Sequence, residues 1–229
     1  MRKIFIDCGA HNGSSVAYFR SIYKDADEYE IYSFEANPSL IRYYPIPGVN
    51  FIDCAVWTED GEITFYEKVK LGQAPPESST LMQSKVQFQK DNNQVTSNSR
   101  FREVKVRSID LSRWIKENFA KDDYIVLKVD IECAEYMVLK KMFSENTFEY
   151  INEVYGELHH IKCGKSKSQA KDDDKMIYDG LKKHGLEMYY WDANIDYLKN
   201  NPNSHKSRMY TDPYENKNWP EPQNITKEK

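Results

Sequence analysis

The sequence predicts an α/β protein with a mainly parallel central sheet flanked by helices. Three observations predict it. Strand-length apolar runs alternate with helix-length segments, the pattern of parallel strands joined by right-handed crossovers. The first run, Ile4-Phe5-Ile6, passes into a glycine loop, Asp7-Cys8-Gly9-Ala10-His11-Asn12-Gly13, that opens a helix. The second, Ile31-Tyr32-Ser33-Phe34, ends in Glu35, an acid about 20 residues beyond the loop, where ribose hydroxyls are met in such sheets.

Parallel strands are expected over residues 3–6, 30–34, 49–52, 124–129, 153–158 and 187–191. Residues 62–67, after the turn signal Glu59-Asp60-Gly61, and residues 101–106 alternate in the strand manner. The sheet is therefore expected to acquire extra strands before the fourth parallel one. Helices are expected over residues 14–23, 39–44, 111–119, 134–143 and 172–184, with Ser14 or Ser15 capping the first and Asp110 the third. Between residues 71 and 100 the chain is polar, with Pro75-Pro76, Ser78-Ser79-Thr80 and Asp91-Asn92-Asn93. That is too long for a simple connection, so it reads as a lid or a partly disordered insertion. One domain over residues 1–199 and a loosely ordered tail over 200–229 complete the expected organisation.

The chain has 229 residues and a formal net charge of -4, which gives no bulk reason to bind nucleic acid. No apolar run approaches the ~20 residues of a membrane span, and no signal peptide begins the sequence. Cys8, Cys54, Cys133 and Cys163 lie far apart without metal-ligand spacing. They read as reduced thiols of a cytoplasmic protein. The sequons at Asn12 and Asn224 then read as chance matches.

The glycine loop narrows the ligand. An acid stands where a dinucleotide fingerprint has its first glycine, and the last glycine comes one residue late. Asp7 repels a phosphate and attracts a cationic, amine-bearing ligand; S-adenosylmethionine carries both a sulfonium and an ammonium. Gly9 admits a close ligand backbone approach, and Gly13 permits tight packing at the helix start. Asp53 ends the third strand, where it either accepts from an adenine amino group or caps the following turn.

Four blocks resemble the FkbM-type family of S-adenosylmethionine-dependent O-methyltransferases. They are Phe5-Ile6-Asp7-Cys8-Gly9-Ala10-His11-Asn12-Gly13; Ser33-Phe34-Glu35-Ala36-Asn37-Pro38; Cys54-Ala55-Val56 with Asp60-Gly61-Glu62; and Val126-Leu127-Lys128-Val129-Asp130-Ile131-Glu132-Cys133-Ala134-Glu135. Gly156-Glu157-Leu158-His159-His160 is a weaker fifth. The family usually has glycine where this chain has Cys133. The resemblance implies a Rossmann-like class I methyltransferase fold. It also implies S-adenosylmethionine held by Asp7, Gly9, Ala10, Asn12, Gly13, Ser14, Glu35, Asp53, Cys54, Ala55 and Asp130, and an acceptor that is a carbohydrate or polyol-like small molecule, including a glycan. The serine-rich stretch Ser78-Ser79-Thr80 is similar to one expected near cofactor or acceptor.

Lys128, Asp130 and Glu132 alternate at the fourth strand's carboxyl end, where open α/β sheets bind ligands. Burying them costs several kcal/mol unless they pair or work. Either Lys128 pairs with Asp130 or Glu135, or Asp130 faces the reacting hydroxyl while Lys128 and Glu132 orient it. Asp130 or His159 is the candidate general base, since a neutral imidazole suits proton removal near neutral pH. Asp130, Glu157 and His159 alternatively suit a hard divalent cation. His11 reads as structural. Trp114, Trp191, Trp219 and 17 tyrosines offer aromatic faces for sugar rings or simply fill the core.

Three other readings compete. An oxidoreductase needs the phosphate-friendly glycine spacing that is absent. A nucleic-acid ribose 2′-O-methyltransferase would use Lys128 and Asp130, yet the basic stripe such a substrate requires is lacking. A non-catalytic nucleotide-binding module does not need Asp7, Glu35 and Asp130 together. No Asn/Asp-Pro-Pro-Tyr block follows the fourth strand, which points away from amide or amine methylation.

Overall fold

The computed structural model describes residues 1–70, 78–95, 97–159, 163 and 165–191. Residues 71–77 of the expected lid and the whole expected tail lie outside the described residues. Six strands, β1 (Lys3–Cys8), β2 (Tyr29–Glu35), β3 (Val49–Asp53), β7 (Tyr124–Val129), β8 (Glu153–Gly156) and β9 (Met188–Tyr190), form one sheet in the order β3-β2-β1-β7-β8-β9. All neighbouring pairs in it are parallel. Strand order reverses between β1 and β7, so their carboxyl ends open the crevice where ligands bind.

The sheet is buried on both faces because apolar residues occupy both sides of the central strands. Ile4, Ile6 and Cys8 of β1 join Ile125, Leu127 and Val129 of β7 in one core cluster. That face is covered by α3 (Leu111–Asn118), α4 (Glu135–Ser144) and α5 (Lys167–Lys183). Phe5 and Val126 point the other way, towards Val16, Tyr18 and Phe19 of α1 (Ser14–Ile22). Lys3, Asp7 and Lys128 share this second face by strand alternation, and Asp7 stands directly opposite Lys128 in the β1–β7 register.

The extra strands precede β7 as expected, but they build a separate sheet. β4 (Ala55–Trp57), β5 (Gly61–Lys70) and β6 (Ser99–Asp110) take the order β4-β6-β5. The chain leaves the main sheet in a tight turn after β3, where Cys54 N donates to Ile52 O at 2.9 Å. β4 escapes sequence reading because three residues carry no period.

Other boundaries differ for local reasons. No serine caps α1: Gly13 occupies the cap position at φ +84, and Asn12 Oδ1 accepts from Ser14 N at 3.1 Å. Asp110 does cap α3, accepting from Arg113 N at 3.2 Å. The expected helix over 39–44 is a 3-10 helix, Pro38–Tyr43, ended by Pro45 and Pro47. The stretch read as lid or insertion contains α2 (Gln83–Asp91), and Thr80 bridges back to Tyr66 of β5. Helix α5 begins five residues before the expected 172, at a capping box formed by Ser166 and Gln169. Of the four cysteines read as reduced, Cys8 and Cys54 are free and buried, whereas Cys133 and Cys163 form a disulfide.

Candidate functional site

A cavity of about 660 Å³ opens at the carboxyl ends of β1, β2, β7 and β8, within the size range of small-molecule sites. Its wall includes Gly9, Asn12, Ser14, Glu35, Cys54, Ala55, Lys128, Asp130, Glu132, Glu157 and His159, all singled out in the sequence. Asp7, Ala10, Gly13 and Asp53 are not on that wall. Asp53 is exposed beside it, and Ala10 and Gly13 shape the loop, Gly13 N donating to Ala10 O at 2.9 Å.

Asp7 is the main displacement from expectation. It is fully buried, and its cation is Lys128 Nζ at 3.1 Å, within the protein. Lys128, 1 % exposed, also lies 3.7 Å from Asp130 Oδ2 and donates to Gly9 O at 2.8 Å. Burial opposes the charged ammonium, but Asp7 and Asp130 outweigh it and hold the Lys128 pKa above its ordinary value. The pairing with Glu135 does not form. Lys128 thus welds the glycine loop to the end of β7.

Gly9 is the second weld. At φ +82, a Cβ here would lie 1.9 Å from the Asp130 carbonyl oxygen, so only glycine lets the two backbones touch. Asp130 N in turn donates to Cys8 O at 3.1 Å. On the other side, Glu35 Oε2 accepts from His11 N and Oε1 from Asn37 N, both at 2.7 Å. Burial raises the Glu35 pKa above the usual carboxylate value, and the two amides offset part of the rise. His11, read as structural, lies on the cavity wall, and its backbone, at φ +48, brings its amide to Glu35.

At the β7–β8 side the chain turns sharply. Glu132 and Cys133 both have left-handed backbones, at φ +55 and +83. Cys133 therefore keeps a conformation that glycine adopts freely, and its disulfide ties the turn to Cys163, four residues after His159. Glu135 Oε1 accepts from Ile131 N and meets His159 Nδ1, each at 2.9 Å. His159 Nε2 then looks onto Glu132 Oε2 at 3.2 Å, Glu157 Oε1 at 3.7 Å and Asp130 Oδ1 at 3.8 Å. His160 lies outside the described residues.

Among further wall or supporting residues, Lys85 carries no readable sequence signal, whereas Ser78, Ser79, Thr80 and Trp191 are singled out in the sequence. Lys85 of α2 reaches across to pair with Glu132, and Thr80 Oγ1 donates to Glu132 O at 2.5 Å. Ser78 and Ser79 line the cavity, Ser79 Oγ lying 3.3 Å from Asn37 Nδ2. Tyr190 and Trp191 line it too, Trp191 Nε1 donating to Ser15 Oγ at 3.2 Å. Trp114 instead packs edge-on against Phe34 at 4.9 Å, and Trp219 lies outside the described residues.

A parallel sheet with a polar cavity at its switch point defines a Rossmann-like small-molecule enzyme scaffold, with acids and an imidazole where chemistry would occur. The model of the methyltransferase FkbM domain matches residues 7–188, and the chain belongs to that family: it is a methyltransferase. No curated protein and no solved structure matches the chain.

Proposed function

We propose that this methyltransferase takes its methyl group from S-adenosylmethionine and places it on a hydroxyl oxygen of a carbohydrate or polyol-like small molecule, free or on a glycan. The observation that carries this reading is that one cavity joins the glycine loop and Glu35 to Asp130 and His159. The donor set suits such a cofactor. Each Glu35 oxygen takes one amide and keeps an acceptor site for a ribose hydroxyl, while Cys54 and Ala55 offer a wall for adenine. S-adenosylmethionine, when bound, supplies an activated methyl on a sulfonium.

The chain's own residues supply the rest. Gly9 keeps the floor low, Lys128 holds Asp130 in place, and Asp130 takes the hydroxyl proton as its oxygen attacks. His159, fixed through Nδ1 by Glu135, is the second group able to take that proton. Tyr190, partly exposed on the wall, gives a sugar ring an aromatic face, with the buried Trp191 beside it. Glu35, Asp130, Glu132 and Glu157 around the opening favour a neutral acceptor over a phosphate-bearing nucleic acid.

Calorimetry is expected to show binding of S-adenosylmethionine and its demethylated product, and labelled-methyl transfer onto a panel of glycans and polyols is expected to find an acceptor. Asp130→Asn should fold and bind cofactor but lose transfer on the order of 10²-fold or more. Absence of cofactor binding would overturn the reading, and near-native turnover in Asp130→Asn would remove Asp130 from the reaction.

A further inference from the structure

One covalent bond joins the two stretches that carry the acids and the imidazole of the β7–β8 side. Cys133 stands next to Glu132, and Cys163 comes four residues after His159, with 5.5 Å between the two Cα atoms. Glu132 and Cys133 are the only consecutive non-glycine residues with left-handed backbones among the described residues, at φ +55 and +83. A side chain disfavours that conformation, so the turn keeps it only while something holds it. Thr80 and Lys85 hold Glu132, and the bond to Cys163 holds Cys133. Both sulfurs lie against the main chain of the imidazole residue: His159 O is 2.7 Å from Cys163 Sγ and 3.7 Å from Cys133 Sγ. A thiol is a weak donor, so the reduced cysteines find that carbonyl in place as an acceptor. The two free cysteines stay out of the exchange. Burial pushes the Cys54 thiol up to about 11 and the Cys8 thiol well above its ordinary value, which suppresses the reactive thiolate at both.

We propose that Cys133 and Cys163 are a reversible redox pair: the oxidised form ties the turn after β7 to the segment after β8, the reduced form releases them, and the acid and imidazole side of the cavity changes geometry accordingly. The reductant is a dithiol. Its thiolate attacks one sulfur, its second thiol resolves the mixed disulfide, and two electrons and two protons pass to Cys133 and Cys163 while the dithiol leaves as its own disulfide. Both cysteines are buried, at 2 and 4 % exposure, so the exchange passes through opening of this turn. With the bond gone, the left-handed backbone at Cys133 is free to relax, and Glu132, which faces His159 Nε2 at 3.2 Å, moves with it. On the β1–β2 side, Glu35 keeps the amides of His11 and Asn37, and Gly9 and Ala10 keep Phe34 O. Resting on the methyl-transfer reading, reduction therefore lowers transfer and spares S-adenosylmethionine binding.

The test compares the full chain treated with oxidised glutathione and the same chain treated with dithiothreitol under native conditions. Alkylation after denaturation is expected to count two thiols, Cys8 and Cys54, in the first and four in the second. Amide hydrogen exchange over residues 131–135 is expected to run about tenfold faster in the reduced chain, with exchange over β1 and S-adenosylmethionine affinity in calorimetry unchanged. Labelled-methyl transfer to the acceptor found on the panel should fall by about tenfold and return on reoxidation. Cys163→Ser should match the reduced chain and ignore dithiothreitol. Two thiols after dithiothreitol, four after oxidised glutathione, or equal exchange over 131–135 in both forms would overturn the redox pair. Equal transfer in both forms, with S-adenosylmethionine bound, overturns its control of the reaction. Absence of S-adenosylmethionine binding in both forms removes the methyl-transfer reading instead, and the exchange over 131–135 still decides the pair.

Discussion

On the β1–β2 side of the cavity Asp7 lies 3.1 Å from the Lys128 ammonium, and Glu35 accepts from the amides of His11 and Asn37 at 2.7 Å. On the β7–β8 side, Nε2 of His159 faces carboxylates across 3.2 to 3.8 Å with no hydrogen bond to any of them. In the first half each acid stands by an ammonium or by backbone amides, and in the second three carboxylates gather around one imidazole. Substitutions can test whether the two halves carry stability and reactivity separately.

The largest expected effect is on the first half. Lys128→Met strands Asp7 in a fully buried position and is expected to cost about 3–5 kcal/mol of unfolding free energy in urea titrations. Asp7→Asn combined with Lys128→Met should recover a large part of that loss. If the double variant is no more stable than the single, the pair is not what holds the loop.

Gly9→Ala comes next. The new methyl meets the Asp130 carbonyl and the backbone is left-handed, two penalties that together amount to about 2–4 kcal/mol. A loss below about 1 kcal/mol in the same titration would mean that the two backbones separate easily.

The smallest effect concerns Glu35. Because burial raises its folded-state pKa, the folded chain holds that proton to higher pH than the unfolded chain does. Its contribution to stability is full below the ordinary carboxylate value and is lost as pH climbs through the raised one. The stability difference between the native chain and Glu35→Gln should therefore shift against the native chain as pH rises from 4 towards neutrality. A difference independent of pH would show that the two amides fully offset burial and leave the Glu35 pKa unshifted. Removal of the carboxylate in Glu35→Ala is expected to weaken S-adenosylmethionine binding by about 1–3 kcal/mol in calorimetry.

Much of this was legible in the chain because the determinants are local. Six strands of the main sheet follow apolar runs that end in loops, and Gly9, Glu35, Asp130 and His159 each sit where a strand stops. What escaped depends on contacts between distant segments. Nothing near Asp7 states that its partner is Lys128, 121 positions later and opposite it only in the β1–β7 register. Lys85 reaches Glu132 only because the insertion folds back through Thr80, and Cys163 pairs with Cys133 across 30 residues. The start of α5 was different: Ser166-x-x-Gln169 is a capping box that the sequence displays, and the polar run after it hid the helix.

The bare contact between Gly9 and the Asp130 carbonyl has a mechanical consequence. Gly9 N and Ala10 N both bind Phe34 O at 3.0 Å and Asp130 N binds Cys8 O, so the ends of three strands are spliced backbone to backbone, with Lys128 bridging to Gly9 O besides. A push on the Asp130 turn is delivered undamped to the glycine loop, and a ligand seated on that loop travels with it. The spacing between the glycine loop and Asp130 is accordingly set when the chain folds.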